Sequence, residues 1–193
     1  MKQMPDKAFD LAIVDPPYGI GAGKGVGRSG RLAVAKGKVV GGEWDNEIPP
    51  PEYFEELFRV SKNQIIWGGN YFPLPPSKCF LIWDKGETMY NRKFAECEMA
   101  WASFDKAARL FKKSPKQDNR IHPTQKPVEL YKWILSRFAN PGDKILDTHL
   151  GSGSIAIVCH DLGFDLTGYE INKDYYDAAC KRLKNHQMQA TLF

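Results

Sequence analysis

The sequence predicts an α/β fold in which helices cover a mostly parallel sheet. Short apolar runs alternate with amphipathic stretches along the chain, which is the pattern of strands and helices in turn. Several apolar runs are continuous, as in strands that are buried on both faces. A length of 193 residues with 42% hydrophobic and 26% charged residues suits one globular domain over residues 1–193.

Six apolar runs of four to seven residues are predicted as strands: Asp10–Val14, Gln64–Trp67, Cys79–Trp83, Cys97–Ser103, Lys144–Asp147 and Asp165–Tyr169. Four segments with apolar residues at helical spacing are predicted as helices: Pro51–Ser61, Pro127–Phe138, Ser154–Leu162 and Asp174–Leu183. Proline opens two of these helices and Gly163 follows the third, which are common start and stop signals.

Composition excludes several classes of protein. No apolar run approaches the roughly 18 residues of a membrane span. The stretch from Met1 to Asp6 lacks the apolar core of a secretory signal. The four cysteines form no Cys-x-x-Cys pair and the four histidines are scattered, so neither a disulfide scaffold nor a metal site is expected. We therefore expect a cytoplasmic protein without membrane contact.

The net charge of +4 hides two basic segments. Residues 19–42 are rich in glycine and hold five basic residues and no acidic one, and residues 106–126 hold seven basic residues and one acidic. Because the two segments carry more positive charge than the whole chain, the remaining residues have a net negative charge. Two basic loops on an acidic body favour contact with a polyanion such as nucleic acid, and the alternative is a pair of solvated loops.

The sequence Asp15-Pro16-Pro17-Tyr18 follows directly on the first predicted strand. In open α/β sheets, ligands bind at the carboxyl ends of strands. The prolines stiffen the backbone, their carbonyls are free to accept, and Asp15 adds a carboxylate acceptor. Tyr18 adds an aromatic face. The cluster could therefore hold the NH₂ group of a planar base, and the alternative is a plain turn with Asp15 as a cap.

A second cluster suggests a nucleoside site. Asp147 ends a strand, and the turn Gly151-Ser152-Gly153 leads into a helix, whose N-terminus favours a negative group. Glu170 ends the next strand, 17 residues after Gly153. An acidic residue near this spacing reaches the ribose hydroxyls of a bound nucleoside. The alternative is an ordinary βαβ unit.

Four motifs follow one another along the chain: Asp-Pro-Pro-Tyr at 15–18, His-Pro-Thr-Gln-Lys-Pro at 122–127, Asp-x-x-x-Gly-Ser-Gly at 147–153 and Gly-Tyr-Glu at 168–170. In this order they resemble amino-group DNA methyltransferases of the adenine-N6/cytosine-N4 type, in the circularly permuted β group. Segments 64–72 and 80–85 look like the middle strands of that family. The resemblance covers about residues 8–185 and implies a Rossmann-like class I methyltransferase fold.

The resemblance implies S-adenosylmethionine as cofactor and double-stranded DNA as partner, in an enzyme like those of restriction-modification systems. The residues it implies for the cofactor are Asp147, His149, Gly151, Ser152, Gly153, Glu170, Asn172, His122, Thr124 and Lys126. Among these, Lys126 suits the carboxylate of the cofactor. Asp15, Pro16, Pro17 and Tyr18 would hold a flipped base whose exocyclic amine is methylated, with Asp15 stabilising the cation that forms.

The chain departs from the family pattern in two places. Thr148-His149 stand where the family usually has Pro-Phe, so His149 is expected to pack on the cofactor in place of phenylalanine. The family also has a further strand before the catalytic strand, and residues 1–7 look like the tail of that unit. We therefore expect a sheet that lacks one N-terminal strand.

The two basic segments are expected to be insertions that contact DNA. The candidate residues are Lys24, Arg28 and Arg31 in the first segment and Lys112, Lys113 and Arg120 in the second. Aspartate before Pro-Pro-Tyr favours adenine N6 as the target, with cytosine N4 as the alternative. A catalytically inactive DNA-binding module is the alternative from another class. The chain leaves little room for a large target-recognition domain, which would suit a homodimer.

Overall fold

The computed structural model describes residues 1–21, 45–117, 120–122 and 124–190 of the chain. Within these residues, seven strands form one sheet: β1 (Phe9–Val14), β2 (Ser61–Trp67), β3 (Cys79–Asp84), β4 (Cys97–Ala102), β5 (Arg109–Lys112), β6 (Lys144–Asp147) and β7 (Asp165–Gly168). The helices are α1 (Pro51–Val60), α2 (Val128–Phe138), α3 (Ser154–Leu162) and α4 (Lys173–Ala190). Over the described residues, no helix is long and apolar enough to cross a membrane.

The strand order across the sheet is β5-β3-β4-β2-β1-β6-β7. Pairing is parallel from β2 through β1 and β6 to β7, and β5 runs parallel to β3. Strand β4 is antiparallel to both β2 and β3, so within the described sheet it alone opposes the other six. The mostly parallel sheet predicted from the sequence is confirmed, and the carboxyl ends of six strands meet at one edge.

The strand order reverses between β1 and β6. From β1 the chain continues to β2 on one side, whereas from β6 it continues to β7 on the other. The two strands pair in register, with Leu11 opposite Ile145 and Ala12 opposite Leu146. Ligands of open α/β sheets bind in the crevice at such a reversal. This pairing brings together the motifs that follow β1 and β6, which lie far apart in the chain.

Helices cover both faces of the sheet, which explains the continuous apolar runs. In β1, Leu11 and Ile13 pack in a core with α2 and α3, whereas Ala12 and Val14 pack in a second core with α1. Successive residues of a strand point to opposite faces. A strand buried on both faces therefore needs an apolar residue at every position.

The sequence prediction was wrong about part of the second basic segment. Residues 109–112, expected within the loop 106–126, form the edge strand β5 beside β3. Arg109 and Leu110 are exposed, so the strand carries no apolar run that would reveal it. Basic side chains on an edge strand discourage pairing with another chain. The opposite edge of the described sheet is β7, and β1 is the first strand along the chain.

Truncating Leu135 to alanine in α2 should destabilise the domain by about 2–5 kcal/mol, because its side chain is fully buried against the sheet. The matched change of Leu162, which ends α3 and is 40% exposed, should cost less than about 1 kcal/mol. Chemical denaturation of both variants measures the difference. Equal losses of stability would contradict the core assignment.

Candidate active site

The turn after β1 holds the Asp15 carboxylate in a fixed orientation. One of its oxygens, Oδ1, accepts a 2.6 Å hydrogen bond from the Tyr18 hydroxyl. The other, Oδ2, lies 2.5 Å from the ammonium of Lys126. Pro16 is buried and Pro17 half-buried behind the carboxylate, whose side chain remains 20% exposed. Asp15 is thus oriented from two directions yet reachable by a ligand.

Asp45, a residue that sequence reasoning missed, fastens this turn. Its Oδ1 accepts the backbone N–H groups of Tyr18 at 2.6 Å and Gly19 at 3.1 Å. Its carbonyl accepts the N–H of Gly21 at 2.9 Å, and the residue is only 2% exposed. Asp45 follows the basic segment in the sequence, where no motif marks it.

The ring of Tyr18 lies between a glycine and a second tyrosine. A Cβ added to Gly68, whose φ is +70°, would lie 2.2 Å from the Tyr18 ring, so only glycine fits there. Tyr71 stacks on Tyr18 with 5.2 Å between ring centroids and 16° between planes. Burial and the nearby Asp15 and Glu98 raise the pKa of Tyr18 well above its usual value. Its hydroxyl therefore stays protonated as a donor to Asp15.

Lys126 is the charged residue at the centre of the site. It is 3% exposed, and its ammonium lies 3.1 Å from Glu98 as well as 2.5 Å from Asp15. The ring of Trp67 lies 5.0 Å away, within cation–π range. Glu98 in turn bonds Lys85 at 2.9 Å. The sequence placed Lys126 with the cofactor, and the structure places it against the carboxylate of Asp15.

The pKa values of Lys126 and Glu98 keep both side chains charged near neutral pH. Burial alone would lower the pKa of Lys126, but the carboxylates of Asp15 and Glu98 raise it above its usual value. Burial alone would raise the pKa of Glu98, but Lys126 and Lys85 lower it to about 2. A buried ammonium between two carboxylates is the arrangement that compensates for its lost hydration.

Glu170 contacts the Gly-Ser-Gly turn, as the predicted nucleoside site requires. Its Oε2 accepts the N–H of Gly151 at 2.8 Å and its Oε1 the N–H of Asn172 at 2.9 Å. A carboxylate oxygen has a second lone pair, so each can still accept a hydroxyl proton. The side chain of Asn172, predicted to contact the cofactor, accepts the N–H of Tyr175 at 3.1 Å at the start of α4.

The turn itself is joined to the segment that carries Lys126. Ser152 is buried and its hydroxyl lies 3.1 Å from that of Ser154, which donates to the Lys126 carbonyl at 2.8 Å. Gly153 begins α3 with a φ of +68°, and a Cβ there would lie 3.0 Å from the Cβ of Ala179. The hydrogen bond from Ser154 thus links the glycine turn to Lys126, the residue that contacts Asp15.

Asp147 and His149 are buried at the end of β6. Burial raises the pKa of Asp147 to about 7, although the N–H of His149 donates to it at 2.9 Å. Burial lowers the pKa of His149 to about 4, so its imidazole is neutral at physiological pH. Tyr53 of α1, which sequence reasoning missed, packs edge-on against His149 at 5.5 Å and bonds the Thr148 hydroxyl at 2.6 Å. The predicted packing of His149 on a cofactor stays a prediction.

His122 and Thr124 lie over the glycine turn. The His122 imidazole would be 3.7 Å from a Cβ added to Gly151, and it packs edge-on against Tyr175 at 4.4 Å. Burial lowers its pKa, and the Thr124 hydroxyl lies 3.1 Å from its Nδ1. Lys126 therefore meets the turn after β1, and His122 meets the turn after β6.

A cavity of about 710 Å³ opens beside Asp15. The turn 15–18 forms one wall, and residues between β3 and β4 together with residues 114–116, 120 and 124–126 form the other. Its volume lies within the roughly 300–1,000 Å³ of small-molecule sites. The basic residues at its walls, besides Lys126, are Lys85, Arg92, Lys116 and Arg120. The cavity can take a planar group whose phosphates lie near these cations.

The predicted DNA contacts divide into three groups. Lys24, Arg28 and Arg31 lie outside the described residues. Lys112 and Lys113 form exposed ion pairs with Glu87 at 2.9 Å and Glu129 at 2.8 Å, which are weak enough in water to be exchanged for phosphates. Arg120 lies in the cavity wall, donates to the Gln125 carbonyl at 3.2 Å and has a pKa lowered by burial.

Comparison with known proteins identifies DNA methylases that are similar to this chain. A DNA methylase family model, N6_N4_Mtase, matches residues 82–181. The type II methyltransferase M.HpaI of Haemophilus parainfluenzae is 40% identical over 67 residues, which are 35% of this chain and only 21% of that protein.

Two solved structures share the fold. The structure of M1.HpyAVI with SAM superposes with a TM-score of 0.59 at 22% identity, over 91% of this chain and 90% of that one. The cytosine-N4-specific PvuII DNA methyltransferase superposes with a TM-score of 0.56 at 12% identity, over 97% and 87%. These likenesses confirm the predicted Rossmann-like class I methyltransferase fold. Since the family model matches just over half of the 193 residues, the chain belongs to the N6_N4_Mtase family of DNA methylases.

Proposed function

We propose that the protein transfers a methyl group from S-adenosylmethionine to the exocyclic amine of a base flipped out of double-stranded DNA, and that the base is adenine. One observation carries the proposal. The Asp15 carboxylate, which follows β1 next to β6, lines a cavity large enough for a base, and its partner Lys126 is hydrogen-bonded through its carbonyl to Ser154, directly after the glycine turn that follows β6. An acceptor for an amine thus lies next to a site for a nucleoside.

The residues after β6 and β7 fit this cofactor. Glu170 keeps acceptor capacity on both oxygens for ribose hydroxyls, and Gly151 and Gly153 have positive φ and no side chain to block a close approach. When bound, S-adenosylmethionine supplies an electrophilic methyl on a sulfonium. His122 and His149 are the aromatic groups beside the turn that could pack on it.

Asp15 and the Pro16 carbonyl act on the base. The amine of a nucleobase is a poor nucleophile, because its lone pair is delocalised into the ring. Hydrogen bonds from its two N–H groups to these acceptors favour a pyramidal nitrogen. The lone pair is then localised on the nitrogen and available to attack the methyl group. The Asp15 carboxylate stabilises the positive charge that develops on nitrogen, so the catalysis is positional and electrostatic.

The flipped base would stack at Tyr18. Tyr71 already stacks on that ring, is 43% exposed and lines the same cavity, so the base would stack in the place that the Tyr71 ring occupies. Taking the target atom out of the duplex is necessary because it is inaccessible within the base stack. The basic segments 19–42 and 106–126 would hold the phosphates, with Lys24, Arg28, Arg31, Lys112, Lys113 and Arg120 as the contacts.

Adenine is preferred over cytosine because the Pro-Pro-Tyr motif begins with aspartate, by the family resemblance. The likeness to the cytosine-N4-specific PvuII enzyme makes cytosine N4 the second candidate. For either base, the same two acceptors, the Asp15 carboxylate and the Pro16 carbonyl, would bind the exocyclic amine. The inactive DNA-binding module predicts no methyl transfer at all, so an activity assay separates it from both.

Replacing Asp15 with asparagine should lower the rate of methyl transfer at least about 100-fold, because the charge that stabilises the reacting nitrogen is lost. Binding of S-adenosylmethionine, measured by calorimetry, should change less than about threefold. The matched control is Asp165→Asn at the exposed start of β7, which should retain full activity. Unchanged turnover of Asp15→Asn would remove Asp15 from the mechanism.

Replacing Glu170 with alanine should raise the KM for S-adenosylmethionine at least about tenfold, because two acceptors for the ribose are lost. The kcat at saturating cofactor should fall by less than about threefold, since Glu170 does not touch the base. Steady-state kinetics measure both, with Glu55→Ala on the exposed face of α1 as control. A normal KM would refute the assignment of Glu170 to the cofactor.

A further inference from the structure

We infer that Lys126 and Glu98 are positioning residues for the catalytic carboxylate: Lys126 orients Asp15, and Glu98 holds Lys126 in place. The inference rests on the proposed function and assigns a role that the motifs do not. Of the two residues, the sequence marks Lys126 as a cofactor ligand and leaves Glu98 unmarked within a strand.

The contacts form one chain of alternating charge. The Tyr18 hydroxyl bonds Asp15 at 2.6 Å, and Asp15 bonds Lys126 at 2.5 Å. Lys126 bonds Glu98 at 3.1 Å, and Glu98 bonds Lys85 at 2.9 Å. Each internal member has a partner on both sides, so the loss of one group changes the forces on its neighbours.

Burial makes Lys126 dependent on these partners. Its side chain is 2% exposed, compared with 20% for Asp15 and 23% for Glu98. Two of the three N–H donors of its ammonium are used by carboxylates, and the Trp67 ring lies 5.0 Å away. The ammonium therefore stays beside Asp15, where it fixes the Oδ2 oxygen of the catalytic carboxylate.

Glu98 gives the Lys126 ammonium a second anchor besides Asp15, and this anchor lies on a strand of the sheet. Strand β4, which carries Glu98, is paired on both sides by β2 and β3. The carboxylate of Glu98 thus extends from the rigid sheet, whereas Asp15 lies in the turn after β1. Without Glu98, the Lys126 ammonium loses this second anchor and holds Asp15 Oδ2 less firmly, so the reacting amine loses a fixed acceptor.

The charge of Lys126 also depends on Glu98. Burial lowers the pKa of this lysine, whereas the two carboxylates raise it, so removal of Glu98 must lower it. The other ionisable groups that act on this cluster come from every element around it: Tyr18, Lys85, Arg120, His122, Tyr131 and Asp147. Tyr131 and Tyr18 are neutral, since burial raises their pKa values well above the usual.

The test is the variant Glu98→Gln, with Glu96→Gln as the matched control on the exposed segment before β4. For Glu98→Gln we expect kcat to fall at least about tenfold, while the KM for S-adenosylmethionine stays within about twofold. The alkaline limb of its kcat profile should move to lower pH, because Lys126 deprotonates earlier. Glu96→Gln should match the wild type in kcat, in the KM for S-adenosylmethionine and in the position of the alkaline limb.

A second variant separates charge from general structural damage. Glu98→Asp keeps the negative charge with a shorter reach, so its alkaline limb should stay at the wild-type pH while kcat lies between those of wild type and Glu98→Gln. If Glu98→Gln does not fold, the comparison of Glu98→Asp with the wild type still tests the role of Glu98. A wild-type kcat in Glu98→Asp together with a failed Glu98→Gln would reduce Glu98 to a folding role.

Two other results would overturn the inference. An unchanged kcat and pH profile in Glu98→Gln would show that Asp15 needs no such support. A raised KM for the cofactor with unchanged kcat in Glu98→Gln would indicate instead that Lys126 binds the cofactor carboxylate. The wild-type protein must transfer methyl groups for either comparison, so failure of the proposed function is seen first and separately.

Discussion

The parallel pairing of β1 with β6 is the contact on which the proposed site depends. It sets Leu11 opposite Ile145 and Ala12 opposite Leu146, so that the two strands end at the same edge of the sheet. A slip of one residue would move every side chain of β1 to the other face. Because both faces are filled by buried residues, such a slip is excluded. The register therefore fixes where Asp15 lies relative to Asp147.

Above that edge, the site is organised by charge rather than by apolar packing. Asp15, Lys126, Glu98 and Lys85 alternate in sign, so the group is neutral as a whole. Burying ion pairs seldom adds stability compared with apolar residues, whereas breaking one leaves a charge uncompensated. The arrangement is better explained by orientation of the Asp15 carboxylate than by stability of the fold.

The sequence predicted the sheet well because most strands lie between two helical layers. Their apolar runs mark β1, β2, β3, β4, β6 and β7 to within a few residues at each end. Strand β5 is an exposed edge with basic side chains, so no such run marks it. Helix α4 extends to Ala190, beyond the predicted Leu183, along a polar stretch without apolar spacing.

The site was predicted in its parts but not in its connections. The motifs located Asp15, Glu170, the glycine turn and Lys126, each within a local segment. The contact between Lys126 and Asp15 joins residues 111 positions apart, which no local pattern can reveal. Glu98 and Asp45 are single acids without a motif, and only the folded chain shows that Glu98 contacts Lys126 and that Asp45 binds the backbone of the turn after β1.

The most direct measurement is methyl transfer from isotopically labelled S-adenosylmethionine to unmethylated double-stranded DNA, followed by digestion and mass analysis of the nucleosides. We expect the label on N6-methyladenine, and we expect the labelling to require the Asp15 carboxylate. Label on N4-methylcytosine would keep the mechanism and change the base. DNA that binds the protein but gains no label would contradict the account and favour an inactive binding module.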